Sequence, residues 1–147
     1  IPNGIVWCAD AKTMYHIDSP TRRVDAWDFD NATSTISNRR TAIEITDEGA
    51  FPDGMAMDVE GKIWVALWGG WSVVRFDPET GEELARVELP VSQVSACAFG
   101  GPNLDELYIT SARKKLTSKE LENQPLAGGL FKARVAVRGV ESVAFAG

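Results

Sequence analysis

Long runs of one chemical character are what this sequence lacks. No apolar stretch approaches the ~20 residues that a membrane-spanning helix requires, and no signal-peptide pattern opens the chain. Basic residues cluster no further than the pairs Arg22-Arg23 and Arg39-Arg40 and the run Arg113-Lys114-Lys115, and the net charge is −6. Nucleic-acid binding needs clustered neutralisation of phosphates, so neither nucleic acid nor a membrane is expected as a partner. A cation or a small neutral metabolite suits such a chain. Thiols are scarce: Cys8 and Cys97 are the only cysteines, and both fall in apolar, strand-like runs. They read as buried reduced thiols, small hydrophobes of a protein kept in a reducing cytoplasm, rather than as a disulfide. Histidine occurs once, at His16 between Tyr15 and Ile17. With no second His or Cys nearby, a zinc cluster of the usual kind is unsupported, and His16 reads as a packed or surface strand residue. There is no Gly-x-Ser-x-Gly elbow, no Ser/His/Asp order and no phosphate loop.

What is present is a repeat. With 147 residues, 44% of them hydrophobic, the chain has material for one ordinary domain. It begins with Ile1, inside what reads as the start of a strand, and is therefore expected to be part of something longer. Two segments fifty residues apart share one design: Pro2-Asn3-Gly4-Ile5-Val6-Trp7 and Pro52-Asp53-Gly54-Met55-Ala56-Met57. Each sets Pro, an oxygen-bearing side chain and Gly ahead of an alternating apolar run. Because Gly reaches backbone angles that other residues resist, Asn3 and Asp53 are expected at the lip of a tight turn into a strand.

The rest of the chain repeats around them in blade-like units of about 1–50, 51–94 and 95–147. The third opens with Ser95-Ala96-Cys97-Ala98-Phe99, and Tyr15, Trp64 and Tyr108 hold the same place in successive units. Short alternating strands, about four to a unit and recurring every forty to fifty residues or so, predict an all-β fold of propeller blades. A β-sandwich has strands at similar spacing, but the internal repeat favours blades. Known propellers close with roughly four to eight blades, so three need a missing half or a partner chain. One short helix is expected after Thr117, where Ser118-Lys119-Glu120 follow a capping residue.

In a propeller the innermost strand of each blade lines a central channel. Asn3 and Asp53, with Ser95 near the third equivalent position, are expected at its mouth. An amide oxygen and a carboxylate are hard donors suited to Ca²⁺, Mg²⁺ or Mn²⁺; Asn-Gly and Asp-Gly are also plain turn formers. The tryptophans at 7, 27, 64, 68 and 71 are expected mostly in blade cores, with Trp68 as a possible border of the pocket. Asp18-Ser19 is assigned to turn capping, and Arg39-Arg40 to an exposed loop between strands.

The order of Asn3-Gly4, Tyr15-His16-Ile17-Asp18-Ser19, Ile36-Ser37-Asn38-Arg39-Arg40, Pro52-Asp53-Gly54-Met55, Leu67-Trp68-Gly69-Gly70, Cys97-Ala98-Phe99-Gly100-Gly101, Tyr108-Ile109-Thr110-Ser111-Ala112-Arg113 and Pro125-Leu126-Ala127-Gly128-Gly129-Leu130-Phe131 closely resembles the SMP-30/gluconolactonase/LRE-like family. The resemblance runs to Ala146-Gly147 and corresponds to the carboxy-terminal half of a member. It implies half of a six-bladed propeller with one divalent metal ion (Ca²⁺, Zn²⁺, Mg²⁺ or Mn²⁺) on the axis, and hydrolysis of sugar lactones or sugar-acid esters. It implies Asn3 and Asp53 as metal ligands and Asp53 also as general base. The family's first-blade Glu, and its Asn/Arg segment for sugar hydroxyls, have no counterpart here. A missing amino-terminal half, or a second copy of the chain, would then complete the ring. The alternative that the resemblance carries is a non-catalytic, Ca²⁺-binding protein of the regucalcin branch, or an inactive half-propeller.

Overall fold

A computed structural model describes residues 1–141, so the expected match at Ala146-Gly147 lies outside the described residues. Three antiparallel sheets stand side by side. The first contains β1 (Pro2–Trp7), β2 (Thr13–Asp18), β3 (Arg23–Asp30) and β4 (Thr35–Glu44), in chain order. The second repeats this with β5 (Phe51–Met57), β6 (Ile63–Trp68), β7 (Ser72–Phe76) and β8 (Glu83–Glu88). The third contains β9 (Val94–Gly100), β10 (Glu106–Ser111) and β11 (Leu130–Arg134), three strands among the described residues. Between β10 and β11 lies the expected helix, α1 (Ser118–Asn123), with a complete capping box between Thr117 and Glu120. No described helix is long and apolar enough to cross a membrane.

The sequence of β6, Ile63-Trp64-Val65-Ala66-Leu67, is apolar without alternation because the middle sheet is covered on both faces. Ile63, Val65 and Leu67 join Tyr15, Ile17, Val24 and Ile43 of the first sheet in one core layer. Trp64 and Ala66 join Cys97, Leu107 and Ile109 of the third sheet in another. Each fully buried side chain of this size contributes about 1.5–3 kcal/mol. The outermost strands β4 and β8 are largely exposed and carry charge, as unpaired edges require.

That charge corrects one sequence expectation. Arg39 and Arg40 lie within β4, not in a loop. Arg39 reaches across to the buried Asp25 at 2.6 Å and stacks over Trp27, while Arg40 pairs with Asp28 at 2.7 Å. The polar, bulged stretch around Asn38 disguises the strand, and cross-strand ion pairs hold it in place. The tryptophans correct another. Of the five, Trp64 alone is fully buried, its indole N–H donating to Asp58, whereas Trp7 and Trp71 are exposed. Both cysteines are free thiols; Cys97 is buried and Cys8 partly so.

Candidate functional site

The three inner strands β1, β5 and β9 are built alike. Pairing between β1 and β2 steps from Pro2↔Asp18 to Ile5↔His16, which leaves Asn3 and Gly4 opposite the single residue Ile17. Pairing between β5 and β6 steps from Pro52↔Leu67 to Met55↔Val65, leaving Asp53 and Gly54 opposite Ala66. Between β9 and β10 the register passes from Val94↔Ser111 to Ala96↔Thr110, with Ser95 as the extra residue. Three residues beyond each bulge, Val6, Ala56 and Ala98 face Tyr15, Trp64 and Tyr108. Asn3, Asp53 and Ser95 are therefore equivalent, each re-aimed by the extra residue of its bulge. The innermost strands are also sheet edges, where the missing N–H of Pro2 and Pro52 is tolerated.

Gly4 and Gly54 act differently from the turn formers expected. Neither has positive φ. A Cβ on Gly4 would lie 2.7 Å from Met55 Cγ and 2.9 Å from the Asp53 carbonyl oxygen. A Cβ on Gly54 would lie 2.7 Å from Ala96 Cβ. Each glycine is thus the contact point of one inner strand with the next, and the absent side chains let Asn3 and Asp53 come together.

They do so at the edge of a cavity of about 360 Å³ that is also lined by Ser19, Phe51, Trp68 and Lys114. Asn3 donates from Nδ2 to Ser19 Oγ at 3.3 Å. Burial pushes the Asp53 carboxyl above the usual carboxylate range, and a hydrogen bond with the Asn3 side chain opposes that rise. Phe51 and Trp68 pair directly across β5 and β6 and give the cavity an apolar wall. The structure therefore brings Asn3, Asp53 and Trp68 to one cavity. Ser19 was assigned to turn capping; it opens the 3-10 turn Ser19–Thr21 and faces Asn3, while the Asp18 side chain makes no cap hydrogen bond. Lys114 is a residue that sequence reasoning missed. Ser95 does not line the cavity, and its hydroxyl pairs with Thr110 Oγ1 at 2.9 Å.

The donor chemistry fits part of a hard-cation shell. Among the described residues no three His, Cys, Asp or Glu side chains gather as a metal cluster, so Asn3 and Asp53 stand as a pair. Both offer oxygen, and the Asn3 amide can exchange its oxygen for its nitrogen by a half-turn about its last side-chain bond. A partly desolvated carboxylate beside a neutral amide is a favourable seat for positive charge. Two protein oxygens are fewer than the six or more that Ca²⁺ collects. A larger cavity of about 700 Å³, lined by Cys8, Tyr15, Arg40 and Glu79, lies beyond the opposite end of β1. Asp10 also lines it, burial raises the Tyr15 phenol there, and Arg40 is already engaged by Asp28.

Comparison with known proteins identifies the chain's relatives. The family description "SMP-30/Gluconolactonase/LRE-like region" matches residues 1–113. Regucalcin of Bos taurus is 47% identical over 148 aligned positions, covering 100% of this chain and 50% of the relative. The solved luciferin-regenerating enzyme superposes with a TM-score of 0.86 at 39% identity, over 95% of this chain and 47% of that one. A calcium-binding protein, regucalcin, from Agrobacterium tumefaciens superposes at 0.87 with 33% identity, over 95% of this chain and 48% of that one. The chain spans about half the length of the curated relatives it matches. In sequence and in fold, the chain belongs to the SMP-30/gluconolactonase/LRE-like family.

Proposed function

We propose that the protein carrying this chain hydrolyses a sugar lactone or sugar-acid ester at the cavity between β1 and β5. The observation that carries this reading is the meeting of Asn3 and Asp53 at equivalent bulges, with the Asp53 carboxyl raised by burial. Asn3 and Asp53 would hold a divalent cation, and further ligands come from protein outside these residues, either another part of a longer polypeptide or a second copy of the chain. An all-oxygen pair suits Ca²⁺, Mg²⁺ or Mn²⁺ better than Zn²⁺. Once bound, the cation supplies Lewis-acid polarisation of a carbonyl.

The residues of this chain do the remainder. Asp53, whose carboxyl burial raises above the usual carboxylate range, accepts the proton of the attacking water as general base. Asn3 orients Asp53 and is itself held by Ser19. Phe51 and Trp68 pack against the C–H face of a sugar ring and exclude water from one side. Two free thiols accord with a reducing cytoplasm.

A second reading, Ca²⁺ binding without turnover, is supported by the regucalcin relatives, one of which is described as a calcium-binding protein. The test uses the full-length polypeptide that contains this sequence, with D-glucono-δ-lactone and each divalent cation in turn. Metal-dependent ring opening that Asp53→Asn abolishes supports hydrolysis. Tight Ca²⁺ binding by calorimetry, with no turnover across a lactone and ester panel, favours the second reading.

A further inference from the structure

Lys114 has no part in the chemistry above, yet the fold fixes its place. The buried side chain of Gln93 holds the Lys114 backbone at both ends: Lys114 N–H donates to Gln93 Oε1 at 2.7 Å, and Gln93 Nε2 donates to the Lys114 carbonyl at 2.8 Å. Gln93 also pairs with Trp68 in an isolated bridge, and its own carbonyl accepts from Ala112 N–H at 2.8 Å. A second buried glutamine, Gln124, ties down the neighbouring Ser92 N–H at 2.7 Å. The segment after β10 is thereby anchored beside Trp68, with Lys114 lining the cavity. Lys114 forms no ion pair among the described residues. Among the described lining residues it is the only basic side chain, as Asp53 is the only acidic one.

A fixed loop that sets an exposed lysine, without an ion pair among the described residues, at the lining of a cavity is suited to an anion. The chain as a whole carries −6 and its field repels anions, so a local cation is what admits one. We infer that Lys114 selects lactones bearing a second, anionic group remote from the lactone carbonyl, a carboxylate or a phosphate, which it binds while the ring lies against Phe51 and Trp68 and the carbonyl faces Asn3 and Asp53. This inference rests on the lactonase reading and narrows its substrate class. Lys114 acts on specificity and takes no part in bond making.

The experiment compares three substrates in the full-length polypeptide with metal: neutral D-glucono-δ-lactone, glucaro-1,4-lactone with its free carboxylate, and 6-phosphoglucono-δ-lactone. The parent is expected to favour one or both anionic lactones in kcat/KM, and which of them it favours identifies the anion. Lys114→Met lowers the anionic-to-neutral ratio about tenfold, the worth of one partly solvated charge-assisted contact, chiefly through KM. Lys114→Glu lowers it further. Lys115→Met, a charge control outside the cavity lining, leaves the ratio unchanged. Melting temperatures of all three variants stay near the parent's, because Gln93 grips the backbone of Lys114 and not its side chain. A ratio unmoved by Lys114→Met, or moved equally by Lys115→Met, overturns the proposal. If no lactone is hydrolysed, the lactonase reading fails separately, and calorimetry with glucarate, 6-phosphogluconate and gluconate decides about Lys114. Tighter binding of glucarate or 6-phosphogluconate than of gluconate, lost in Lys114→Met, supports the anion site; equal binding of all three overturns it.

Discussion

Two aspartates five residues apart receive opposite treatment from the same fold. Asp58 is fully buried and saturated: its carboxylate accepts from Trp64 Nε1 at 3.0 Å, from Arg75 Nε at 2.8 Å and from the backbone N–H groups of Glu60 and Lys62. Asp53 is half-buried at a cavity with one side-chain neighbour, Asn3, to offset its desolvation. The first carboxylate is held by donors on four residues and has no capacity left for a ligand. The second is desolvated without full repayment, the state in which a carboxylate seeks a cation or a proton. Burial alone does not separate a working acid from a structural one; the count of donors around it does.

The comparison breaks most visibly in activity. Asp53→Asn is expected to reduce lactone hydrolysis by roughly a thousandfold, within the range for loss of a general base, while the metal-free protein melts no lower than the parent. Unchanged turnover would remove Asp53 from the mechanism, and a large fall in melting temperature would make it a second Asp58. Asp58→Ala should cost about 3–5 kcal/mol of stability, because Arg75 keeps its charge and Trp64 its N–H without the partner. Denaturant titration measures that loss, and residual activity per folded molecule should stay near the parent's.

A smaller effect tests the contact between strands. Gly54→Ala forces a Cβ into Ala96 and should cost about 1–3 kcal/mol, as overpacking does, with weaker metal binding by calorimetry. The smallest effect is electrostatic. Asp53 binds its proton more readily in the folded chain than at the ordinary value of 3.8. Its contribution to metal-free stability is therefore present at low pH and declines as pH rises from 3.8 through the folded value. Asp77, which Lys62 holds below the usual range by a hydrogen bond, has the opposite sign: its contribution is present above 3.8 and is lost as pH falls through its folded value. Urea titrations of Asp53→Asn and Asp77→Asn as a function of pH separate the two slopes.

Much of this site is legible in the sequence because a repeat reports position as well as identity. Pro-Asn-Gly and Pro-Asp-Gly, each a fixed distance ahead of Tyr15 and Trp64, place two oxygens at equivalent strand entries before any coordinate is known, and the structure makes those entries bulges. Trp68 follows from its place at the end of β6. What was illegible depends on contacts between distant residues. Lys114 reaches the cavity through a hydrogen-bond clamp from a glutamine 21 positions earlier, and no local pattern announces such a tie. Arg39 and Arg40 read as a loop because their strand is held by Asp25 and Asp28 and carries little apolar alternation. The glycines were found for one reason and matter for another, since a sequence records that a Cβ is absent but not what lies where it would be.

That absence has a consequence for the oxygen pair. The spacing of Asn3 and Asp53 is set by how closely β1, β5 and β9 approach, and Gly4 and Gly54 sit at the contacts. The inner strands behave as leaves of an iris whose aperture is tuned at positions bearing no donor atom. Widening the leaf at Gly4 by a methyl group moves both oxygens apart without altering either, so the geometry of the pair is set by a residue that carries neither of them.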